Sequence, residues 1–217
     1  PSIFMSHFVA AMNMAHQQEL QRIQLAPLVA NNSTDEPDKA ITDVTVLNLN
    51  VNGLNSAISK GLEEYLNMTP HEILILTEVR LITSKVQAAK NKLHAMGYKF
   101  VSINSNMGYA GVLIASKLKQ EPIELHHVPH QDLAEQEPRF MYCEFDNPPL
   151  VVAGLYAPFN NPENRNRSNK LNDFYKPLLT FLSKLTTKTK AMNKAFVLAG
   201  DIQVAPTMLD QSPNADP

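Results

Sequence analysis

The stretch that decides the fold reads TVLNLNVNGLN and covers residues 45–55. Apolar and polar side chains alternate in its first half, which predicts a half-buried strand over residues 44–50. The strand stops at Asn52 and Gly53, a pair that favours turns because both residues tolerate left-handed backbone angles. Amide side chains there can ligate a hard metal or hold a phosphate or carboxylate, although asparagines also end strands merely because they form good turns. Three such amides gather at or near the carboxyl end of the predicted strand: Asn48, Asn50 and Asn52.

The rest of the chain predicts strands and helices that interleave without a strict βαβ rhythm. Short apolar runs predict further strands at residues 73–76, 98–103, 112–115, 140–145, 150–156 and 196–199. Helical periodicity predicts helices at residues 56–66 and 83–95, and a third helix with the apolar positions Phe174, Leu178, Leu179, Leu182 and Leu185. This pattern favours an α/β (α+β) fold in which two sheets face each other with helices outside them.

Two acidic residues come just after predicted buried strands. Glu78 follows the run at residues 73–76, and Asp201 follows the run at residues 196–199. A carboxylate beside an apolar run is costly to desolvate unless it is paired, hydrogen-bonded or bound to a metal. We therefore predict that both share one site with Asn50; the alternative is that they are surface residues beyond the strand ends. An oxygen-rich site without a Cys or His cluster suits Mg²⁺ or Mn²⁺ rather than zinc.

The composition favours one domain, or one domain with a tail, in a reducing compartment. The chain has 217 residues, of which 44% are hydrophobic, so it can bury a proper core. Its single cysteine, Cys143, lies in an apolar run and is predicted to be a buried structural thiol. No run approaches the roughly 20 apolar residues of a membrane span, and no secretory signal is visible. We expect an intracellular protein of the nucleus or cytoplasm, with no membrane partner.

The net charge of −2 argues against tight, metal-free, non-specific binding to nucleic acid. It does not exclude a nuclease, because bound divalent cations supply positive charge locally. Three histidines form a loose cluster whose spacing fits no zinc pattern, so we interpret them as loop residues: His126, His127 and His130.

The chain is predicted to divide into three parts. Residues 1–43 form an N-terminal extension, with a weakly amphipathic helix over residues 7–24 followed by a polar linker. We expect this segment to dock on the domain or to be disordered; the alternatives are that it binds a partner or is an unprocessed upstream extension. Residues 44–206 form the domain, and residues 207–217 form a proline-containing tail.

Four segments occur in the order in which one family of enzymes carries them. They read LNVNGLNS at residues 49–56, LTEVR at residues 76–80, GLYAP at residues 154–158 and LAGDIQ at residues 198–203. Together they resemble the endonuclease/exonuclease/phosphatase superfamily. The first is most similar to endonucleases of LINE-type retrotransposons. Abasic-site endonucleases of the exonuclease III type are similar but usually carry an Asp where this chain has Asn52.

The resemblance implies a four-layer α/β sandwich of two facing mixed sheets with outer helices, and an active site at one rim of the sheets. It implies that Glu78 binds Mg²⁺ or Mn²⁺ and that Asn50 supports the metal and the scissile phosphate. Tyr156 would lie near that phosphate, and Asp201 would activate or orient the attacking water. Asn52 is a further candidate for contact with a DNA substrate.

The chain departs from the family's motifs at two places. Gln203 stands where the family has Asn, and its extra methylene would displace a phosphate contact by about a bond length; an error of ~1 Å in an active site can lower the rate ~10²-fold. Phe159 takes the place of a phosphate-binding Asn, and Asn160 follows as a substitute. Three arginines are additional candidates for phosphate binding: Arg139, Arg165 and Arg167.

The family completes its site with C-terminal segments that include an Asp-His pair, and no Asp-His dipeptide occurs in this chain. We expect either the front part of a longer protein or a truncated relic, with a sandwich that is incomplete at the C-terminus. The predicted function is metal-dependent phosphodiester hydrolysis on DNA, in impaired form. The alternatives are a catalytically dead remnant that binds nucleic acid or a protein partner, and a phosphomonoesterase of the same fold.

Overall fold

The computed structural model describes residues 21–24, 43–106, 108–127, 138–158 and 165–203. For residues 21–24, 124–127 and 165–173 it describes the backbone without the side chains. Within this part of the chain, no helix is long and apolar enough to cross a membrane.

The first sheet contains five strands in the order β1-β2-β3-β5-β4. These are β1 (Gln21–Gln24), β2 (Asp43–Asn50), β3 (Ile73–Thr77), β4 (Phe100–Asn104) and β5 (Val112–Ser116). β2 and β3 run parallel, and the other neighbouring pairs are antiparallel. Because β2 and β3 are parallel, their carboxyl ends reach the same edge of the sheet.

The second sheet contains four strands in the order β6-β7-β8-β9. They are β6 (Glu124–His127), β7 (Phe140–Phe145), β8 (Leu150–Tyr156) and β9 (Ala195–Asp201). The last two strands run parallel, and the register places Tyr156 opposite Asp201. The second sheet therefore also presents two carboxyl strand ends side by side.

In the part of the chain that the structure describes, four helices lie outside the sheets. α1 (Leu54–Ser59), α2 (Leu62–Met68) and α3 (Thr83–Ala95) come from the first half of the chain, and α4 (Arg165–Ala191) comes from the second half. Buried side chains of α1, α2 and α3 pack with one face of the first sheet. Phe174, Leu178 and Leu185 of α4 pack with the outer face of the second sheet. The order of layers is thus helices, sheet, sheet, helix.

The inner faces of the two sheets share a core of branched aliphatic and aromatic side chains. The sheets approach closely at Gly154 of β8. A Cβ atom at that position would lie 2.7 Å from Cγ1 of Val112 and 3.1 Å from Cγ2 of Ile75, both on the first sheet. Glycine is therefore required there by the close packing of one sheet on the other.

The fold class and the layered arrangement predicted from the sequence are confirmed, as are the bounds of α3, β7 and β8. Two predictions at the level of single elements are wrong. The helix predicted over residues 56–66 is interrupted, because Gly61 adopts a left-handed conformation (φ 101°) and starts a second helix. Residues 21–24, predicted as the end of a helix, form β1 and pair antiparallel with β2. The remainder of that predicted helix, and the tail, lie outside the described residues.

The interpretation of the clustered histidines as loop residues is also wrong for two of them. His126 and His127 belong to β6, which pairs antiparallel with β7 and places them opposite Tyr142 and Met141. The backbone pairing with β7 outweighs the weak strand propensity of this segment. His130 lies outside the described residues.

Candidate active site

Four polar residues from both sheets meet at one rim of the sandwich. Asn50, Tyr156 and Asp201 are the last residues of β2, β8 and β9, and Glu78 directly follows β3. Two pairs of parallel strands point their carboxyl ends to this rim. The structure thus brings together residues that the sequence analysis placed in one site.

Asn50 joins the two sheets through its side-chain amide. Its Nδ2 donates to Oε1 of Glu78 at 2.9 Å and to Oδ2 of Asp201 at 2.7 Å, while its Oδ1 accepts from the backbone N–H of Asn52 at 3.1 Å. Both protons of the amide are therefore used on carboxylates, and its oxygen is fixed by the turn. The two acidic groups lie on either side of one nitrogen atom.

The turn that carries Glu78 has an unusual backbone held by its neighbours. Glu78 and Arg80 have φ angles of 53° and 50°, a left-handed conformation that side chains other than glycine seldom adopt. The backbone N–H of Gly53 donates to the Glu78 carbonyl at 2.7 Å, and the N–H of Arg80 donates to the Ala110 carbonyl at 2.9 Å. Two flanking loops therefore fix the direction of the Glu78 side chain.

Gly111 makes room for this turn. A Cβ atom at Gly111 would lie 2.6 Å from Cγ2 of Val79 and 2.8 Å from Oγ of Ser105, and its φ of +100° is unfavourable for other residues. The same Ser105 hydroxyl accepts from the N–H of Leu81 and donates to its carbonyl. The segment after Glu78 thus packs against Gly111 at Val79 and is hydrogen-bonded to Ser105 at Leu81.

Glu78 is a nearly buried carboxylate with three partners. Its side chain is 12% exposed, and it forms an ion pair with Arg80 in addition to the bond from Asn50. Burial raises the pKa of the Glu78 carboxyl, but hydrogen bonds from Asn50, Tyr156 and Arg80 and the charge of Arg80 outweigh burial, so the pKa is lowered from its usual value. The group is therefore a carboxylate at neutral pH.

Tyr156 lies between Glu78 and Arg139. Burial raises the pKa of the Tyr156 phenol, and its hydrogen bond with Glu78 and the charge of that carboxylate raise it further, against the opposing effect of Arg139. The Arg139 guanidinium lies over the Tyr156 ring at 4.9 Å, and its Nη1 donates to the Tyr156 and Ala157 carbonyls at 3.4 Å. Arg139 is buried, so these contacts fix the ring; its proposed contact with a phosphate stays a prediction.

Asp201 is held mainly by Gln203. The Gln203 Nε2 donates to Oδ2 of Asp201 at 2.6 Å, and its backbone N–H donates to Oδ1 at 3.2 Å. Gln203 has a φ of 55°, so the chain turns back on itself directly after β9. The longer amide that replaces the family's Asn therefore contacts the neighbouring carboxylate in this structure; its role towards a phosphate stays a prediction.

The remaining predicted site residues are less well defined. Asn52 is exposed, and the contact recorded for it within the site comes from its backbone N–H rather than its side chain. Asn160 lies outside the described residues. Arg165 and Arg167 lie in the first turn of α4, where the structure describes the backbone alone.

The donor set fits a hard divalent cation. Among the described residues no group of three or more His, Cys, Asp or Glu side chains is placed to hold a metal, and the two site carboxylates share one amide donor. Buried oxygens of Asn48 and Thr77, on the strands that carry Asn50 and Glu78, have no hydrogen-bond partner in the described part of the chain. Two adjacent carboxylates with nearby unpaired oxygens suit an oxygen-binding cation such as Mg²⁺ or Mn²⁺. Glu78 would hold it. Asn50 presents its Nδ2 donor to that carboxylate, so the role of Asn50 as a metal ligand stays a prediction.

Two residues near the site were missed from the sequence. Arg80 lies two positions after Glu78, and a basic residue beside a predicted metal ligand was the signal that could have identified it. Tyr175 of α4 donates its hydroxyl to the Ile202 carbonyl at 2.9 Å, and burial and the Asp201 charge raise its pKa. Nothing in the apolar stripe of α4 distinguishes Tyr175 from a core residue.

Comparison with known sequences finds similarity to a DNA endonuclease. No protein-family profile matches the chain. It is 24% identical over 186 residues to a DNA-(apurinic or apyrimidinic site) endonuclease from Dictyostelium discoideum, and the match covers 84% of this chain and 48% of that protein.

Solved structures of nucleases have the same architecture. The 3′ phosphatase NExo from Neisseria, bound to a product DNA hairpin, matches with a TM-score of 0.62 at 22% identity over 76% of this chain and 60% of that one. An AP endonuclease from Archaeoglobus fulgidus matches with a TM-score of 0.56 at 23% identity, over 78% of this chain and 61% of that one. The chain has the endonuclease/exonuclease/phosphatase fold. The fold implied by the four sequence motifs is therefore confirmed.

The catalytic domain of APE2 from Xenopus laevis also matches, with a TM-score of 0.56 at 18% identity, over 79% of this chain and 62% of that chain. The chain spans about half the length of the curated relative and about three fifths of the solved chains.

Proposed function

We propose that the chain carries the metal- and water-binding half of a DNA-cleaving phosphodiesterase site. The observation that supports this most directly is the Asn50 amide, which connects a carboxylate from each sheet at 2.9 and 2.7 Å. Two carboxylates on either side of one nitrogen repel each other. A rim with a purely structural role would gain nothing from placing them so close together. The abasic-site endonuclease and the DNA-bound phosphatase among the similar proteins support DNA as the substrate.

Each residue has a task in this hydrolysis. Asp201 accepts the proton of the attacking water, whose oxygen forms a bond to phosphorus as the bond to the leaving oxygen breaks. Asn50 holds Asp201 and Glu78 at a fixed separation, and the Tyr156 hydroxyl fixes Glu78 from the side of the second sheet. A divalent cation on Glu78 would polarise the phosphate and stabilise the leaving oxygen.

The test is relaxation of supercoiled plasmid in Mg²⁺, with EDTA as the metal-free control. We expect slow conversion to the nicked circle by the wild-type chain and none by Glu78→Gln, which retains shape and hydrogen bonding but lacks the charge. Glu63→Gln, the same change at an exposed position in the first turn of α2, serves as the matched control. Nicking by Glu78→Gln at the wild-type rate would refute the proposal.

The expected rate is low because of Gln203. Its side chain bonds to Asp201 at 2.6 Å, so the carboxylate that should receive a proton from water is already engaged. Replacement by the shorter Asn is expected to release Asp201 and to increase nicking. A decrease with Gln203→Asn would show that the longer amide is part of the active arrangement.

Two types of nuclease fit this proposal. The sequence of residues 49–56 favours a LINE-type nicking enzyme. Similarity to the abasic-site endonuclease from Dictyostelium discoideum favours the abasic-site type. Comparison of an intact duplex with the same duplex carrying one abasic site distinguishes them. Preference for the abasic duplex supports the second type.

A second candidate is removal of a 3′ phosphate from DNA. It is favoured by the structural match to the 3′ phosphatase NExo from Neisseria, which has the highest TM-score of the solved chains described above. A hairpin oligonucleotide with a 3′ phosphate tests it directly. Release of inorganic phosphate without plasmid nicking supports this function in place of endonuclease activity. If neither substrate reacts, both hydrolytic functions are refuted, and binding of a DNA duplex without cleavage would identify a binding remnant of the fold.

A further inference from the structure

Both oxygens of the Glu78 carboxylate have partners before any cation binds. Asn50 occupies Oε1, Arg80 occupies Oε2, and the Tyr156 hydroxyl provides a third hydrogen bond. A cation that ligates Glu78 therefore competes with these partners for the carboxylate oxygens, and it repels the Arg80 guanidinium, which carries a charge of the same sign. Given the function proposed above, the contacts that hold each partner decide which one leaves Glu78.

Two of the three partners are fixed by other contacts. Asn50 also bonds to Asp201 at 2.7 Å and accepts from the Asn52 N–H at 3.1 Å. Tyr156 is held beneath the Arg139 guanidinium, and its N–H donates to the Arg139 carbonyl at 2.7 Å. Displacement of either would break several interactions at once.

Arg80 is held less firmly than Asn50 and Tyr156. Its side chain is 45% exposed, although the Glu78 side chain that it contacts is only 12% exposed. Its backbone is fixed by the hydrogen bond from its N–H to the Ala110 carbonyl at 2.9 Å. The guanidinium can therefore leave Glu78 by rotation about side-chain bonds, without movement of the turn. A partly exposed ion pair of this kind contributes little stability, so its loss is easily offset.

The released guanidinium remains at the rim, where a phosphodiester must approach Glu78 and Asp201. Arginine matches the geometry of phosphate oxygens and keeps its charge at all relevant pH values. We infer that Arg80 is a positioning residue that pairs with Glu78 in the metal-free chain and transfers to a substrate phosphate when Glu78 takes a divalent cation. Metal binding and DNA binding then favour each other, because each stabilises the same position of Arg80.

The first experiment measures Mn²⁺ binding by electron paramagnetic resonance, without DNA, for wild type, Arg80→Gln and Arg80→Lys. Arg80→Gln should bind Mn²⁺ about two- to five-fold more tightly, since a partly exposed competitor has been removed. Arg80→Lys should fall between them. Lys92→Gln, an equal change of charge at an exposed position near the end of α3, should bind like wild type.

Two results from this experiment would overturn the inference. One is an Arg80→Gln variant that binds Mn²⁺ no more tightly than wild type. The other is a Glu78→Gln variant that binds Mn²⁺ as wild type does, because the cation would then sit away from Glu78. The unfolding temperature of each variant verifies that the fold is retained.

The second experiment measures binding of a short DNA duplex by fluorescence anisotropy, in Ca²⁺ and in EDTA. Arg80→Gln should bind the duplex about three- to ten-fold more weakly than wild type in Ca²⁺, where the wild-type arginine is free to contact phosphate. In EDTA the two should bind alike, because the wild-type arginine is then engaged by Glu78. An equal loss in both conditions would identify a permanent phosphate contact and refute the transfer.

These measurements separate the inference from the proposed function. If wild type nicks plasmid but Mn²⁺ affinity does not respond to Arg80→Gln, the function stands and the transfer is wrong. If Mn²⁺ and duplex binding respond as expected but no DNA is cleaved, the transfer is correct in a chain that binds DNA without cleaving it.

Discussion

Asn50→Asp replaces the donor that separates the two site carboxylates by a third carboxylate. In the wild-type chain the Asn50 Nδ2 lies 2.9 Å from Glu78 and 2.7 Å from Asp201. The loss of each hydrogen bond costs about 1 kcal/mol at this partly exposed site. Each new contact between like charges adds about 1.5 kcal/mol in a water-like dielectric. We therefore expect the free energy of unfolding to fall by roughly 3–5 kcal/mol at pH 8 without metal.

The destabilisation should depend on pH and on metal. Crowding of three carboxylates raises their pKa in the folded variant above the unfolded value, so the folded state binds more protons and stability falls as pH rises. The difference from wild type should thus shrink towards pH 5. Mg²⁺ should stabilise Asn50→Asp more than wild type, because it binds the folded carboxylate cluster and not the unfolded chain.

Urea unfolding at pH 5 and pH 8, with EDTA or Mg²⁺, measures these effects. Asn52→Asp is the matched control. It makes the same chemical change two residues away, at an exposed position whose side chain is not part of the hydrogen bonds between Asn50 and the two carboxylates. If Asn50→Asp and Asn52→Asp have equal stability at pH 8 in EDTA, the amide does not connect the carboxylates and the account of the site is wrong.

Three further predictions test the surroundings of the site and the core. Gly111→Ala should unfold more easily than Gly97→Ala in urea, by about 1–3 kcal/mol, because both have left-handed φ but the added methyl group meets a side-chain carbon at 2.6 Å only at Gly111. Burial lowers the pKa of His71 to about 4. The unfolded chain therefore takes up this proton at higher pH than the folded chain, and the free energy of unfolding should fall by about 3 kcal/mol as pH falls from 6.5 towards 4. Unfolding of His71→Gln should lack this dependence, and exposed His94→Gln should retain it. Burial raises the pKa of the Cys143 thiol, so a thiol reagent should modify it only at the rate of unfolding, and rapid labelling of the native chain would contradict its placement.

The sequence predicts which polar residues meet at the rim better than it predicts the short helices and strands. Asn50, Glu78 and Asp201 are recognisable because polar residues at the ends of buried strands need partners, and parallel strands bring those ends to one edge. The contacts between them could not be predicted, since a hydrogen bond across 151 positions depends on how two sheets dock. The involvement of Arg80 was hidden for the same reason: its direction follows from a left-handed φ that the residue type does not favour.

Errors in the secondary structure have local and non-local causes. Gly61 ends a helix whose apolar pattern continues across it, because the left-handed conformation at this glycine interrupts the helical hydrogen bonds. β1 and β6 read as helix and loop because their strand character comes from pairing with β2 and β7 rather than from their own residues. Short strands of this kind are defined by their neighbours.

The absent side chain of Gly154 sets the distance between the two halves of the site. A methyl group there would meet a stiff valine side chain at 2.7 Å, so the sheets would have to move apart. The bond from Asn50 to Asp201 spans that same gap at 2.7 Å, and a separation of about 1 Å would break it. The spacing of the two sheets therefore sets the separation of the site residues that they carry. A substitution at this buried position would change that separation, although Gly154 is not one of the site residues.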